Sequence, residues 1–439
     1  MRVRFAPSPT GRIHLGNTRT AVINWLLAKR HGGEFMLRID DTDLERSTEA
    51  YREGIEADLA WLGMSWDLYA KQSERFEQYD AARDRLIAQG RLYPCYEDSS
   101  ELDLMRKTAS LQSKPFIYNR ANYPANHTPE KVEAMKADGR QAHWRFALQP
   151  GSIAWDDMAR GPVKFDAENL SDPVLIRADG SYLYTLCSVL DDIDFACTHI
   201  VRGEDHVTNT ATQVQIFQAL GGEVPTFAHV PLVTGAQGEK LSKSDGALAI
   251  ADLRDEGVLQ PITITSFLGR LGTPDGPQPY QDLSEIAAGF DMSKFGKSSP
   301  KMDTTELYQL NAKVVRGLSF EAAKDRLDVT EEQWLAIRPN LEKLDDADEW
   351  LTVINGPVDS VIVDAAFAAQ AASLLPDGVL DDSSWKAWTQ AVKDATGRKG
   401  KELFQPLRLA LTGMERGPEM AVLVPLLGRE RILERLGAA

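Results

Sequence analysis

Apolar and polar positions at the start of the chain follow two alternating periods. Val3-Arg4-Phe5-Ala6 predicts a strand, residues 17–31 then set Ala21, Trp25 and Leu26 on one helical face, and Gly32-Gly33 supplies a left-handed stop. Residues 34–40 alternate as a second strand. Tyr51, Ile55, Leu59 and Leu62 recur with helical spacing and predict an amphipathic helix that ends at Gly63, and a third helix is predicted over 74–89, before Gly90. Strand, loop and helix repeated in this way predict an α/β fold with a doubly wound parallel sheet. Strand order stays open.

From 95 to 172 the periodicity gives way to polar stretches, to Pro115, Pro124, Pro129, Pro150 and Pro162, and to short alternations such as His143-Trp144-Arg145-Phe146. An inserted α+β module is predicted there. The doubly wound pattern resumes with Thr198-His199-Ile200-Val201, a helix over 208–220 and a strand over 229–233. From 283 onward helical patterns dominate, as over 334–344 and 384–392. The predicted organisation is an α/β domain over 1–94 and 173–230, the insertion over 95–172, a further region over 231–316 and a helical domain over 317–439.

Composition changes this picture in two respects. The 439 residues are enough for substantial cores, and 43% hydrophobic with 26% charged residues is an ordinary globular balance. Forty-nine Lys and Arg against sixty-five Asp and Glu leave a formal charge of −16, so any nucleic-acid site must be local. Cys95, Cys187 and Cys197 are an odd set without Cys-x-x-Cys spacing, which argues against a disulfide framework and for a reducing compartment. No apolar run is long enough to span a membrane. A soluble cytoplasmic protein is expected.

Candidate chemistry lies in two loops. Ala6-Pro7-Ser8-Pro9-Thr10-Gly11-Arg12-Ile13-His14-Leu15-Gly16-Asn17 leads from the first strand into a helix, where backbone N–H groups and the positive helix end favour phosphate. His14 is suited to donate to a phosphate oxygen. Gly16, lacking a Cβ, lets an adenine ring approach the backbone. Taken alone, a capped turn is the commoner reading of His-x-Gly. Gly238-Glu239-Lys240-Leu241-Ser242-Lys243-Ser244-Asp245-Gly246 sets two lysines three apart, able to converge on a polyphosphate. Taken alone, it reads as a solvated loop.

In this order, with an interruption between them, the two motifs resemble the His-Ile-Gly-His-like and Lys-Met-Ser-Lys-Ser-like signatures of the class I aminoacyl-tRNA synthetases. Arg4-Phe5-Ala6-Pro7-Ser8-Pro9-Thr10-Gly11, Arg38-Ile39-Asp40-Asp41-Thr42-Asp43 and Ile200-Val201-Arg202-Gly203-Glu204-Asp205 resemble the glutamyl-tRNA synthetases, as do Gly400-Lys401-Glu402-Leu403-Phe404-Gln405-Pro406-Leu407-Arg408 and Leu411-Thr412-Gly413. The resemblance spans nearly the whole chain. It implies a Rossmann-like catalytic domain, an insertion that binds the tRNA acceptor end, a signature-loop and stem-contact region over 231–316, and an all-α anticodon-binding domain.

The implied reaction joins L-glutamate to tRNA(Glu) through a glutamyl-adenylate formed from ATP with Mg²⁺. tRNA(Gln) stays open as a second acceptor, with Asn340 in Arg338-Pro339-Asn340 standing in a region where discriminating members carry Arg. The resemblance makes His14, Lys240 and Lys243 catalytic, and has them bind ATP together with Gly16. It assigns glutamate to Arg4, Ser8, Asp40, Tyr184, Ser188 and Arg202. Two arginines at strand ends suit a side-chain carboxylate, the alternative being exposure or pairing with an acid such as Asp40 or Glu204. Asp40, where the family usually has Glu, is assigned the α-ammonium, while Asp41 and Asp43 either share that role or cap the next helix. Asp191 and Asp192 are expected to stabilise the fold.

Arg398, Lys399, Lys401 and Arg408 are candidate tRNA contacts, the alternative being a solvated basic face. Asn17 replaces the second His of the first signature, a variation that the glutamyl group tolerates. Some relatives carry a zinc knuckle in the insertion. Here no second Cys follows Cys95-Tyr96-Glu97 and His127 stands alone in the sequence, so no structural zinc is expected. A monomer is expected.

Overall fold

In the computed structural model, which describes residues 1–121, 123, 127–235 and 248–438, strands β1 (Arg2–Phe5), β2 (Glu34–Ile39) and β3 (Leu68–Lys71) form a parallel sheet in that order. The sequence pattern does not predict β3: Leu68-Tyr69-Ala70-Lys71 is a short edge strand whose residues are all partly exposed, so it shows no alternation. β4 (Leu92–Cys95), β5 (His143–Phe146) and β8 (Val174–Ile176) form an antiparallel sheet, and β6 (Ser152–Asp157) and β7 (Gly161–Asp166) form a hairpin. The insertion's sheet thus overruns the expected limits of 95 and 172 at both ends. The chain then returns through β9 (His199–Gly203) to β10 (Thr226–Val230), a second parallel pair. The Thr198 N–H donates to the Arg2 carbonyl at 2.9 Å, which sets the start of β9 beside β1. Successive connections therefore diverge to either side of β1, the kind of point at which doubly wound sheets bind ligands.

Helix α1 (Leu15–Arg30) follows β1. The sequence predicts one apolar face, but Thr18, Arg19, Ala21, Val22, Ile23, Asn24, Trp25, Leu26 and Leu27 are all buried. The helix packs against the sheet and also against the short helix Leu283–Ala288, so little of it meets water. Asn24 tolerates this burial by donating to the carbonyls of Thr20 at 2.8 Å and Val201 at 3.1 Å. Helix α2 (Glu49–Trp61) buries Ile55 and Leu59 as its pattern predicts, whereas Tyr51 stays exposed. Its N-cap is Thr48. Asp41 instead accepts from the Ser73 backbone and hydroxyl, both at 2.7 Å, and Asp43 pairs with Arg46, so neither caps the helix.

The chain forms two compact units, Met1–Glu256 with Ile264–Asp303, and Gly257–Thr263 with Thr304–Ala439. The second is helical and has its own core, with Trp334 and Trp388 fully buried. Its limit falls before the expected 317 because helix Thr304–Gly317 turns Leu307, Leu310 and Val315 inward. Asn311 on that helix accepts from the Gln260 N–H at 2.8 Å and the Thr263 hydroxyl at 3.0 Å, tying 257–263 to the same unit. The helix expected over 334–344 is cut to Glu331–Ile337, followed by a tight turn at Arg338–Asn340 that contains Pro339. No helix among the described residues is long and apolar enough to cross a membrane.

Candidate active site

The carboxyl ends of β1, β9 and β10 open into a cavity of about 500 Å³. Its wall includes Arg4, Ser8, His14, Gly16, Tyr184 and Arg202, which lie far apart in the sequence. Ser8 is exposed and lies in the loop leaving β1. Asp40 and Ser188 are not part of the wall.

Arg202, at 5% exposure, is held by neutral partners. Its Nη1 donates to the Tyr184 hydroxyl at 2.9 Å, its Nη2 to Thr210 Oγ1 and Gln213 Oε1 at 2.6 Å each, and its Nε to His229 Nε2 at 3.3 Å. Among the described residues no carboxylate pairs with it. Burial pulls its pKa down from the usual arginine value, yet a guanidinium stays protonated. A buried, uncompensated cation in a cavity wall calls for an anionic ligand.

Arg4 is managed differently. Its Nε donates to Asp192 Oδ1 at 3.0 Å, and both Nη groups have no partner among the described residues. Burial lowers its pKa, but Asp192 overcomes this and the net shift is upward. Asp192 also accepts from Arg38 Nη1 at 2.7 Å. Arg38 reaches Asp40 Oδ1 at 2.7 Å and Oδ2 at 3.2 Å, and Ser188 Oγ at 3.2 Å. Asp191 accepts from Arg75, Gln72 and Tyr79 in the same buried layer. Asp192 therefore ties helix Tyr184–Asp194 to β1 and β2, Asp191 ties it to the segment Gln72–Tyr79, and Asp40 and Ser188 face the same ionic layer behind the cavity.

His14 is the N-cap of α1, and its Nδ1 accepts from the Gly16 N–H at 3.1 Å. That bond places the imidazole proton on Nε2, the nitrogen suited to donate to a phosphate oxygen. A Cβ on Gly16 would lie 3.0 Å from both Cε1 and Nδ1 of His14, so the glycine makes room for the imidazole. Beside this turn the chain returns from its second signature: the Leu15 N–H donates to Leu248 O at 3.2 Å and the Ile250 N–H to Ile13 O at 3.0 Å. Lys240 and Lys243 themselves lie outside the described residues.

Arg398 pairs with Asp364 at 2.5 Å and lies over the Phe367 ring, while Arg408 donates to the Pro418 carbonyl at 2.8 Å. Lys399 and Lys401 are exposed. In the insertion, β4 pairs Cys95 directly with His143, and donor atoms of Cys95, Glu97 and His143 lie within 4.8 Å of one another. His127, isolated in the sequence, has Nε2 3.1 Å from Glu97. Linear spacing does not show this cluster because it forms across a sheet. Burial pushes the Cys95 thiol up to about 12, so without a cation it stays neutral. Cys187 and Cys197 are likewise buried and free.

Sequence pattern alone also misses Asp205 and His206 in the cavity wall, and Thr210, Gln213 and His229 around Arg202. A histidine within Phe227-Ala228-His229-Val230 is the available signal, since an imidazole in a buried strand needs a polar partner.

Residues 1–309 match the family of tRNA synthetases class I (E and Q), catalytic domain, and 365–439 match an anticodon binding domain. Glutamate–tRNA ligase 1 of Maricaulis maris is 52% identical over 440 residues, 99% of this chain and 98% of its own. The chain belongs to the glutamate–tRNA ligase family. Another family member, glutamate–tRNA ligase 1 of Parvibaculum lavamentivorans, is 50% identical over 99% of this chain and 98% of its own. The crystal structure of a glutamate tRNA ligase from Elizabethkingia meningosepticum in complex with its amino acid superposes with a TM-score of 0.84 at 25% identity, covering 100% of this chain and 98% of that one. The family fold therefore extends over both units.

Proposed function

We propose that this glutamate–tRNA ligase family member joins L-glutamate to tRNA(Glu) in two steps. A glutamate α-carboxylate oxygen attacks the α-phosphorus of ATP, giving glutamyl-adenylate and pyrophosphate. A hydroxyl of the terminal tRNA ribose then attacks the activated carbonyl carbon and AMP leaves. The observation that carries this reading is Arg202, a buried cation in the cavity wall with neutral partners only, which a glutamate side-chain carboxylate would neutralise. Arg4, with both Nη groups uncommitted among the described residues, supports the same anion. His14 Nε2, Lys240 and Lys243 act on the phosphates of Mg·ATP, where fixed positive charge stabilises the departing pyrophosphate. Positioning supplies much of the remaining rate, and no covalent enzyme intermediate is needed. Glutamate enters this scheme as a zwitterion with one extra negative charge, which glutamine lacks. Both the cytoplasm as its location and the C-terminal helical unit as the reader of the anticodon belong to this proposal.

Aminoacylation of purified tRNA(Glu) and tRNA(Gln) with labelled glutamate tests the reading. Charging of tRNA(Glu) is expected, and charging of tRNA(Gln) as well would define a relaxed acceptor range. Arg202→Gln should lower kcat/KM for glutamate by about 30-fold or more, the loss typical of removing one partner from a buried charge pair. An unchanged kcat/KM would remove Arg202 from the pocket.

A further inference from the structure

Arg202 is oriented by a histidine, and that histidine by an acid from the insertion. β9 and β10 pair in parallel with His229 in register with Arg202, so the two side chains are cross-strand neighbours. His229 Nε2 faces the Arg202 Nε at 3.3 Å and Thr210 Oγ1 at 2.8 Å. On the other side of the ring, Nδ1 lies 2.5 Å from Asp157 Oδ2, and both side chains are fully buried. Asp157 ends β6. Its Oδ1 accepts from the backbone N–H groups of His229 at 3.0 Å and of Ala159 and Arg160 at 3.1 Å each, and its Oδ2 also accepts from Trp155 Nε1 at 3.3 Å.

A carboxylate surrounded by donors stays ionised despite burial. An ionised acceptor at Nδ1 requires the proton there and leaves a lone pair at Nε2. The opposite tautomer would set an imidazole N–H against the Arg202 N–H and leave it Thr210 Oγ1 as an acceptor, an oxygen that already accepts from Arg202 Nη2. Neither Asp157 nor His229 lines the cavity, so neither touches substrate.

We infer that Asp157 and His229 are positioning residues of the amino-acid pocket: Asp157 fixes the His229 tautomer, and His229 in turn fixes the Arg202 guanidinium where it receives the substrate side-chain carboxylate. This rests on the assignment of Arg202 to that carboxylate. It also means that the insertion, through the last residue of β6, completes a pocket whose other parts come from the nucleotide-binding fold.

Three substitutions separate this role from simple packing. In Asp157→Asn the single amide oxygen is claimed by the three backbone N–H groups, so the NH₂ turns to His229 and reverses its tautomer. His229→Asn keeps a donor toward Asp157 but loses the acceptor toward Arg202. His229→Gln places an amide oxygen near the original Nε2 and keeps that acceptor. The full-length protein is assayed by tRNA(Glu) aminoacylation, measuring KM for glutamate and for ATP, together with the thermal midpoint.

D157N and H229N are expected to raise the glutamate KM by about tenfold, the equivalent of one hydrogen bond to a charged group, with the ATP KM unchanged. H229Q should restore the glutamate KM most of the way. Arg202→Lys is the control and should raise the glutamate KM on its own. If D157N and H229N leave that KM at the wild-type value while R202K raises it, the positioning role is overturned and the pocket assignment stands. If R202K leaves it unchanged, the assignment beneath the proposal falls. An equal rise in both KM values, with a lowered thermal midpoint and no rescue by H229Q, assigns the pair to packing alone and also overturns the proposal.

Discussion

Gly16 and His14 show how closely a single atom is controlled at this site. The imidazole folds back to accept from the Gly16 N–H, and a methyl group at position 16 would press on the ring at 3.0 Å. Gly16→Ala should therefore turn His14 away from the phosphates, lowering kcat on the order of a hundredfold with a smaller change in glutamate KM; steady-state aminoacylation checks the split. His229 adds a pH dependence. Burial lowers its pKa, the Asp157 hydrogen bond raises it, Arg202 and Arg160 lower it again, and the net shift is below the ordinary imidazole value. The unfolded chain thus takes up this proton first as the pH falls below about 6.5, and the folded state loses stability through that range. Melting curves of wild type and H229N should differ most at neutral pH and converge on the acid side. Arg4, Ser8, His14, Gly16, Tyr184 and Arg202, which the family resemblance singles out, all line the cavity. Asp157 and His229 were not legible, because their meaning lies in a cross-strand neighbour and in a hydrogen bond across 72 residues of sequence.

Elements were legible where a helical period met a stop signal. α1, α2 and the helices Val207–Ala219 and Ser384–Thr396 fall where spacing and stop signals place them. Thr48 accepts from the Tyr51 N–H at 3.3 Å, and its own N–H donates to Pro9 O at 3.2 Å, so this cap also borders the loop that carries Ser8. Thr48→Ala should cost about 1 kcal/mol in chemical denaturation while the backbone bond to Pro9 survives. The sequence did not reveal how buried α1 would be. Ala21, Trp25 and Leu26 mark one face, but a helix that packs on two sides also buries positions outside it, among them Thr18, Arg19 and Asn24, whose polarity gives no sign of burial. Nor did it reveal that Asp40 faces Arg38, since the arginine two residues earlier on β2 projects to the same side and claims the carboxylate at 2.7 Å.

At the scale of the molecule, a chain of formal charge −16 binds a polyanion only through local basic surface. Of the four basic residues proposed for tRNA, Arg398 and Arg408 already serve the fold of the helical unit, through Asp364 and the Pro418 carbonyl, whereas Lys399 and Lys401 are exposed. Lys399→Ala with Lys401→Ala should weaken tRNA binding and flatten its salt dependence by about one unit of log–log slope for each phosphate no longer neutralised. Arg398→Ala should chiefly lower the thermal midpoint. Filter binding across a salt series distinguishes the two classes. The sequence alone determined the α/β character of the N-terminal half, the helical character of the C-terminal part and the signature residues, because periodicity, caps and motif chemistry are local and are written in neighbouring positions. Only the tertiary structure decided that Arg202 has no carboxylate partner among the described residues while Arg4 has one, that Asp40 belongs to an ionic layer, that Cys95 meets His143, and that Gly257–Thr263 joins Thr304–Ala439 in one unit. Each depends on which distant groups share a buried volume, where an ion must find a counter-charge or remain open to a ligand.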